Sequence, residues 1–291
     1  MTAERRPAME VLLLGTGTPN AEPERSGPAV AVLVEGVAIL VDFGPGVVRR
    51  AAAAHQMGVA ELAVEKLSRA FLTHLHSDHT AGYADLIFSP WVLERDIPLH
   101  VVGPAGLRAM TEHILAAYRE DVRERLEGLE PANPQGHRVL VTEIEAGRVY
   151  EDDRVRVDAC RAEHGSWPAY SYRFTAGGRS AVISGDTAPH ERMEAFYAGC
   201  DILVHEVYSA AGFERLPADW QRYHAAVHTS SRELAAIANR ARPGLLVLTH
   251  QLLWGESPES LAREIEADYS GAIVSGSDLD RFPLLSPGTP E

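Results

Sequence analysis

Lysine is nearly absent from this chain of 291 residues: Lys66 is the only one, so arginine carries almost all of the positive charge. Acidic residues outnumber basic ones, 41 Asp and Glu against 27 Lys and Arg, for a formal net charge of −14 at pH 7. An acidic surface repels a polyanion and offers no overall electrostatic footprint for nucleic acid. This counts against tRNA as a partner, with a local basic patch left open. Cysteine is scarce too. Cys160 and Cys200 are the only pair, too few for a disulfide scaffold, and both are expected to be reduced and buried. No apolar run approaches the ~18 residues that a membrane-crossing helix needs. Val11–Leu14 is too short for the apolar core of a secretory leader, and Met9-Glu10 rather than a cationic segment precede it. Cytoplasmic residence is expected. No Pro-, Gly- or Ser-rich linker, repeat or low-complexity segment divides the chain.

What is present reads as a soluble globular protein: 45% hydrophobic and 23% charged residues. Glu10–Leu14, Ala29–Glu35 and Val37–Val41 have strand patterns, and Val47–Leu67 is helical with a break near Gly58. Leu99–Val102, Val139–Glu143, Arg154–Cys160, Ala169–Thr175 and Ser180–Ile183 are further strands. Between Gly103 and His137 one amphipathic helix is expected, with Ile114, Tyr118, Val122, Leu126 and Leu129 along one stripe. Residues 104–130 read as a helix on the core or as a lid or dimer contact. A β-rich opening followed by alternating strands and helices suits a layered α/β fold. Residues 1–8 and 283–291 are expected to be loosely held tails on a domain spanning 1–291.

The densest chemical signal is His74-x-His76-x-Asp78-His79, just past the apolar Phe71-Leu72 and before a helical pattern. Side chains at i, i+2, i+4 and i+5 on a loop can converge on two points, which a regular helix or strand does not allow. Imidazole nitrogen and carboxylate oxygen suit zinc and neighbouring divalent metals. Three more ligand-type residues stand just past apolar runs: His164 after Val155–Cys160, Asp186 after Ser180–Gly185, and His250 after Leu245–Thr249. Loops at strand ends carry function on a rigid scaffold. Ligands spread from position 74 to 250 must meet in one domain. Asp42, before Gly44, reads either as a carboxylate that orients a ligand histidine or as a turn-forming residue. Tyr83, Phe88 and Trp91 follow the histidine cluster, and Trp167 and Trp254 follow His164 and His250. They are candidates for an apolar wall, with Trp167 and Trp254 the more suggestive. His224 could reach the site from the segment before His228.

The ordered series His74, His76, Asp78, His79, His164, Asp186 and His250 resembles the signature of the metallo-β-lactamase superfamily. Asp42-Phe-Gly-Pro-Gly46 resembles its early Asp-x-Gly element. The resemblance implies a four-layer αββα sandwich with two metals at one edge. By that pattern His74, His76 and His164 hold one metal, Asp78, His79 and His250 hold the other, and Asp186 bridges them. His205-Glu206-Val-Tyr208 and His228-Thr-Ser-Ser231 resemble the His-Glu-Ala-Thr and His-Ser-Thr elements of ribonuclease Z and its arylsulfatase-like relatives. Carried over, His228 is the proton donor or oxyanion stabiliser and Glu206 its partner. The alternative for His228 is a residue that merely precedes a helix cap at Thr229 or Ser230.

The implied enzyme is a binuclear metal-dependent hydrolase that attacks an ester with a metal-bridging hydroxide. Asp78, His228 and Glu206 form its catalytic set. Zinc is the expected metal, with manganese or iron also suited. Three departures from the ribonuclease Z pattern turn the expectation away from RNA. The loop Pro19–Ser26 carries two glutamates and no lysine, Gly103–His137 lacks a basic arm, and the third motif ends Val-Tyr. The expected substrate is therefore a small-molecule ester: a phosphodiester, aryl sulfate, carboxylic ester or lactone. The alternative is a ribonuclease Z-like tRNA 3′-processing endonuclease. A third reading, a metal-binding protein without catalysis, is disfavoured by the completeness of the set. A homodimer is left open, and no membrane association is expected.

Overall fold

The computed structural model describes residues 7–286. It contains two seven-stranded sheets. The first is built from β1 (Met9–Gly15), β2 (Ala29–Val34), β3 (Val37–Val41), β4 (Arg69–Phe71), β5 (Leu99–Gly103) and β6 (Val139–Glu143). The second holds β7 (Gly147–Glu151), β8 (Arg156–Arg161), β9 (Tyr170–Ala176), β10 (Arg179–Ile183), β11 (Ile202–Tyr208), β12 (Leu245–Leu252) and β13 (Ile273–Ser275). A last strand, β14 (Arg281–Leu284), returns to the first sheet, so the orders are β14-β1-β2-β3-β4-β5-β6 and β13-β12-β11-β10-β9-β8-β7.

Strand alternation explains the layering. In β1, Leu12 and Leu14 face one apolar cluster while Met9, Val11 and Leu13 face another. In β11, Ile202 and Val204 face between the sheets while Leu203 and Val207 face outward. Both faces of the central strands are covered, which is why they read as nearly continuous apolar runs. Helices α1 (Val47–Gln56), α2 (Ser77–Thr80), α3 (Tyr83–Val92), α4 (Leu107–Ala117) and α5 (Arg119–Glu127) follow strands of the first sheet. Residues of α1, α3 and α4 pack in the cluster on its outer face. Along the second half run α6 (Arg192–Tyr197), α7 (Ala210–Phe213), α8 (Ala218–Val227), α9 (Ser231–Ala241) and α10 (Pro258–Glu266). Residues of α6, α9 and α10 cover the outer face of the second sheet. This is the four-layer αββα sandwich.

The sheets change character half-way. β3, β4, β5 and β6 pair parallel, and so do β10, β11, β12 and β13. Parallel strands end on the same edge, so the loops after β3 and β4 sit together, as do those after β10, β11 and β12.

Three expectations need correction. The single helix over 104–130 is two, because the chain turns at Tyr118 between α4 and α5. Residues 1–6 and 287–291 of the expected loose tails lie outside the described residues. Within the described part, however, Pro283 and Leu284 pair with Glu10 and Met9, and the Ala8 N–H donates to the Leu284 carbonyl at 2.9 Å. Cys200 is buried as expected, but Cys160 is only half-buried; both are free thiols.

Candidate metal centre and cleft

The loop after β4 begins with Thr73, and Asp42 after β3 holds it. The Asp42 carboxylate accepts the Thr73 N–H at 2.7 Å and the Thr73 hydroxyl at 2.9–3.0 Å. It also lies 2.8 Å from His79 Nδ1. The Thr73 hydroxyl in turn sits 3.0 Å from His74 Nδ1. His164 Nδ1 lies 2.8 Å from the Val227 carbonyl oxygen. Each of these ring nitrogens is committed to an oxygen outside the cluster, which fixes the ring and turns Nε2 inward. Of the two readings of Asp42, the structure supports the carboxylate that orients a candidate ligand histidine.

The inward atoms form two groups. His74 Nε2 and His164 Nε2 both lie 3.0 Å from His76 Nδ1. On the other side, Asp78 Oδ2 lies 3.2 Å from His250 Nε2 and 3.5 Å from His79 Nε2. Asp186 stands between the groups: Oδ1 is 3.4 Å from His79 Nε2, and Oδ2 is 3.6 Å from His250 Nε2 and 3.9 Å from His74 Nε2. All seven expected ligands therefore come together. His250 arrives by a device the sequence pattern did not suggest. It lies inside β12, where the register with β11 slips between Glu206 and Val207, and its φ is 44°. The bulge leaves His250 unpaired and re-aims its ring into the cluster.

Of the inward atoms, His79 Nε2 and Asp186 Oδ1 are buried with no hydrogen-bond partner among the described residues. Buried polar atoms without partners are rare in folded proteins. A convergent set of imidazole nitrogens and carboxylate oxygens in that state fits divalent cations of the zinc type. The charge balance agrees. Burial opposes a proton on His79, yet the carboxylates of Asp186 and Asp42 raise it well above the usual imidazole value. Burial likewise works against His250, but Asp186 and Asp78 raise it. Burial works against the Asp186 carboxylate, but His250 and His79 hold it well below the carboxylate range. The cluster demands positive charge, as protons on His79 and His250 or as cations in their place. His74 moves the other way: burial, then the charge of His79, pushes it well below the usual value.

A second pair flanks the cluster. Glu206, in β11, accepts from Thr229 N at 2.9 Å and Thr187 N at 3.3 Å through Oε1, and its Oε2 lies 3.3 Å from His228 Nδ1. Burial, then the charge of Asp186, raises Glu206 well above the usual carboxyl value. Burial pushes His228 down to about 4, whereas a value near neutrality suits a proton donor. His228 ends α8, and Ser230 caps α9 through a capping box with Glu233. His228 Nδ1 is also 3.9 Å from Asp186 Oδ2, close enough to group with Asp186 and His250 as a donor. His205 points away from the cluster, its ring against Tyr197.

The cluster floors a cleft of about 600 Å³ lined by Asn20, Leu216, Trp220, His224 and Trp254 among others. Trp167 packs against His76 with ring centroids 4.8 Å apart and planes tilted by 49°. Tyr83, Phe88 and Trp91 do not reach the cleft; they pack in the outer core of the first sheet. No residue of 104–130 lines it. Trp220 was missed from sequence, although it stands four residues before His224 on α8 and eight before His228 at that helix's C-cap.

A family model described as "Beta-lactamase superfamily domain" matches residues 38–251. The chain is 36% identical over 283 residues to ribonuclease Z of Mycobacterium bovis, covering 95% of this chain and 98% of that protein. The chain belongs to the ribonuclease Z group of the metallo-β-lactamase superfamily. It is a metal-dependent hydrolase acting on ester bonds. The metallo-β-lactamase fold is seen equally in YhfI from Bacillus subtilis, with a TM-score of 0.74 at 19% identity over 96% of this chain and 99% of that one. Human tRNase Z, short form, matches with a TM-score of 0.67 at 21% identity, covering 94% and 99%.

These relatives overturn one expectation. A small-molecule ester substrate, with nucleic acid disfavoured, does not stand against ribonuclease relatives matched over nearly their whole length. The physical reason lies in scale. A net charge of −14 describes the whole surface, while a phosphodiester meets only the cleft, whose carboxylates are matched by histidines and by any cations they hold.

No helix among the described residues is long and apolar enough to cross a membrane.

Proposed function

We propose that this chain is a ribonuclease Z-type endonuclease, working as one domain, that hydrolyses a phosphodiester near the 3′ end of tRNA with the aid of two divalent cations, zinc foremost. The supporting observation is Asp186 standing between two ligand groups drawn from both sheets, in a chain aligned with ribonuclease Z over 95% of its length. His74, His76 and His164 would hold one cation, Asp78, His79 and His250 the other, and Asp186 would serve both. Bound there, such a pair supplies Lewis acidity and makes a water molecule acidic enough to act as a nucleophile near neutral pH.

The chain's own groups do the rest. Asp42, Thr73 and the Val227 carbonyl lock three ligand rings. Asp78 and His76 line the cleft floor, so the cations they would hold face whatever enters. Thr229 and Thr187 hold the Glu206 carboxyl, which steadies His228 from its Nδ1 side. His228, neutral at pH 7, would carry its proton on Nε2 and donate it in a hydrogen bond to the departing oxygen, while the protonated Glu206 carboxyl donates to Nδ1.

The test is cleavage of a precursor tRNA carrying a 3′ trailer, by protein stripped with a chelator and reloaded with zinc or manganese. A single cut near the trailer junction that disappears with the metal is expected. Metal-dependent turnover of simple aryl esters with no cleavage of any precursor tRNA would refute this reading.

A further inference from the structure

Outside the ligand cluster, the most unusual feature of the cleft is a ladder of rings along α8. Trp220 and His224 are stacked with centroids 5.7 Å apart and planes 24° apart. His224 and His228 follow at 5.5 Å and 30°, and His228 and His250 at 5.8 Å and 25°. The spacing is that of i and i+4 on a helix: α8 aligns Trp220 and His224, and His228 follows at its C-cap. Trp254 closes the side of the ladder, 4.6 Å from His224. The inner end is a candidate metal ligand; the outer end is open. Trp220 is 56% exposed and Tyr223, next to it, is 43% exposed. A lone exposed aromatic needs no explanation. Two side by side at the rim of the cleft, in register with its deepest polar groups, form a surface.

We infer that this ladder is a nucleobase site: the outer face of Trp220, with Tyr223 beside it, stacks one unpaired base of the RNA strand whose phosphate lies at the ligand cluster. The inference rests on the nuclease reading above. Base-on-aromatic stacking is a common way for proteins to hold unpaired nucleotides. Trp220 and His224 are too close for a base to slide between them, so the outer face is the docking face. Trp220 lies two ring-steps from His228, which places the stacked base one or two nucleotides from the cleaved bond. Charge points the same way. The one arginine on α8, Arg222, is paired with Asp219 at 3.2 Å, and the chain has no lysine nearby. Affinity at this site comes from stacking rather than phosphate neutralisation, so its salt dependence is shallow.

The test uses a trailer-bearing RNA with single abasic residues placed, one at a time, within two nucleotides of the cut. At one position the metal-loaded wild-type protein is expected to lose about five- to a hundred-fold in kcat/KM. Trp220→Ala loses the same factor on intact RNA and becomes indifferent to the abasic residue at that position, while Trp220→Phe recovers most of it. If the two losses multiply instead, or Trp220→Ala cleaves like wild type, no base stacks on Trp220. Quenching of tryptophan emission by a short unpaired RNA separates the two readings. Quenching that needs Trp220 in a protein that cuts no RNA leaves the base site standing and removes the nuclease reading. RNA cleavage indifferent to Trp220 does the reverse.

Discussion

Asp42 Oδ2 lies 2.8 Å from His79 Nδ1, and the residue that makes this contact holds a left-handed backbone, with φ of 63°. A non-glycine residue keeps that conformation only where its surroundings over-determine it. Here they do: the same carboxylate also binds the Thr73 N–H and hydroxyl, so one strained residue ties β3 to the ligand loop.

Asp42→Asn is expected to weaken zinc binding at the Asp78, His79 and His250 group by about 10- to 100-fold, the usual cost of losing a carboxylate behind a ligand histidine. Asp42→Ala should cost at least as much, because it also frees the Thr73 N–H. Zinc titration against a competing chelator reads both. Wild-type affinity in Asp42→Ala would remove Asp42 from this role.

His228→Ala should lower turnover by about 10²- to 10³-fold, the range for losing one hydrogen-bond donor to a charge developing on oxygen, with metal content unchanged. A metal analysis beside the rate assay decides between two roles. Loss of one cation per chain would make His228 a ligand with Asp186 and His250 and end its assignment as hydrogen-bond donor. Glu206→Gln, which keeps an acceptor for Thr229 N, should cost less than His228→Ala.

Zinc uptake by metal-stripped protein at pH 7 should release protons, because His79 and His250 are both raised above the ordinary imidazole value and must give up their protons to bind. The sign follows directly: protons compete with the cation, so affinity rises with pH until both rings are neutral. Calorimetry in buffers of different ionisation enthalpy measures the release. No buffer dependence would show that these rings enter already neutral.

Arg95 is a stability determinant remote from the chemistry. Only 1% exposed, its guanidinium donates to the carbonyls of Leu67, Leu86, Ile87 and Gly136. Arg95→Met should cost about 3–5 kcal/mol in urea unfolding, as expected when several buried acceptors lose their donor. Arg95→Lys should recover only part, since one ammonium cannot span four carbonyls. A loss below about 1 kcal/mol, the ordinary surface range, would contradict it.

The candidate ligand cluster was legible in sequence because its members are polar residues of distinctive type at or near the ends of apolar strands, and parallel strands deliver their ends to one edge. The bulge at His250 was not, since one extra residue in a strand leaves the apolar pattern around it intact. The break at Tyr118 has no glycine or proline to mark it, and the stripe from Ile114 to Val122 continues across both helices. β14 was hidden by Pro283, which reads as tail but is tolerated on an edge strand. Trp220 is readable at i, i+4, i+8 with His224 and His228, but its stripe is of mixed polarity and does not mark an apolar core face. The expectation against nucleic acid rested on a summed charge, which describes the whole surface and not one cleft, and on three local departures from the ribonuclease Z pattern.

The proposed shared role of Asp186 is tested most directly by anomalous diffraction above and below the zinc absorption edge, on crystals of zinc-loaded protein. Two peaks are expected, one among His74, His76 and His164, the other among Asp78, His79 and His250, with a carboxylate oxygen of Asp186 on each. A single peak, or two peaks with Asp186 touching neither, would contradict it.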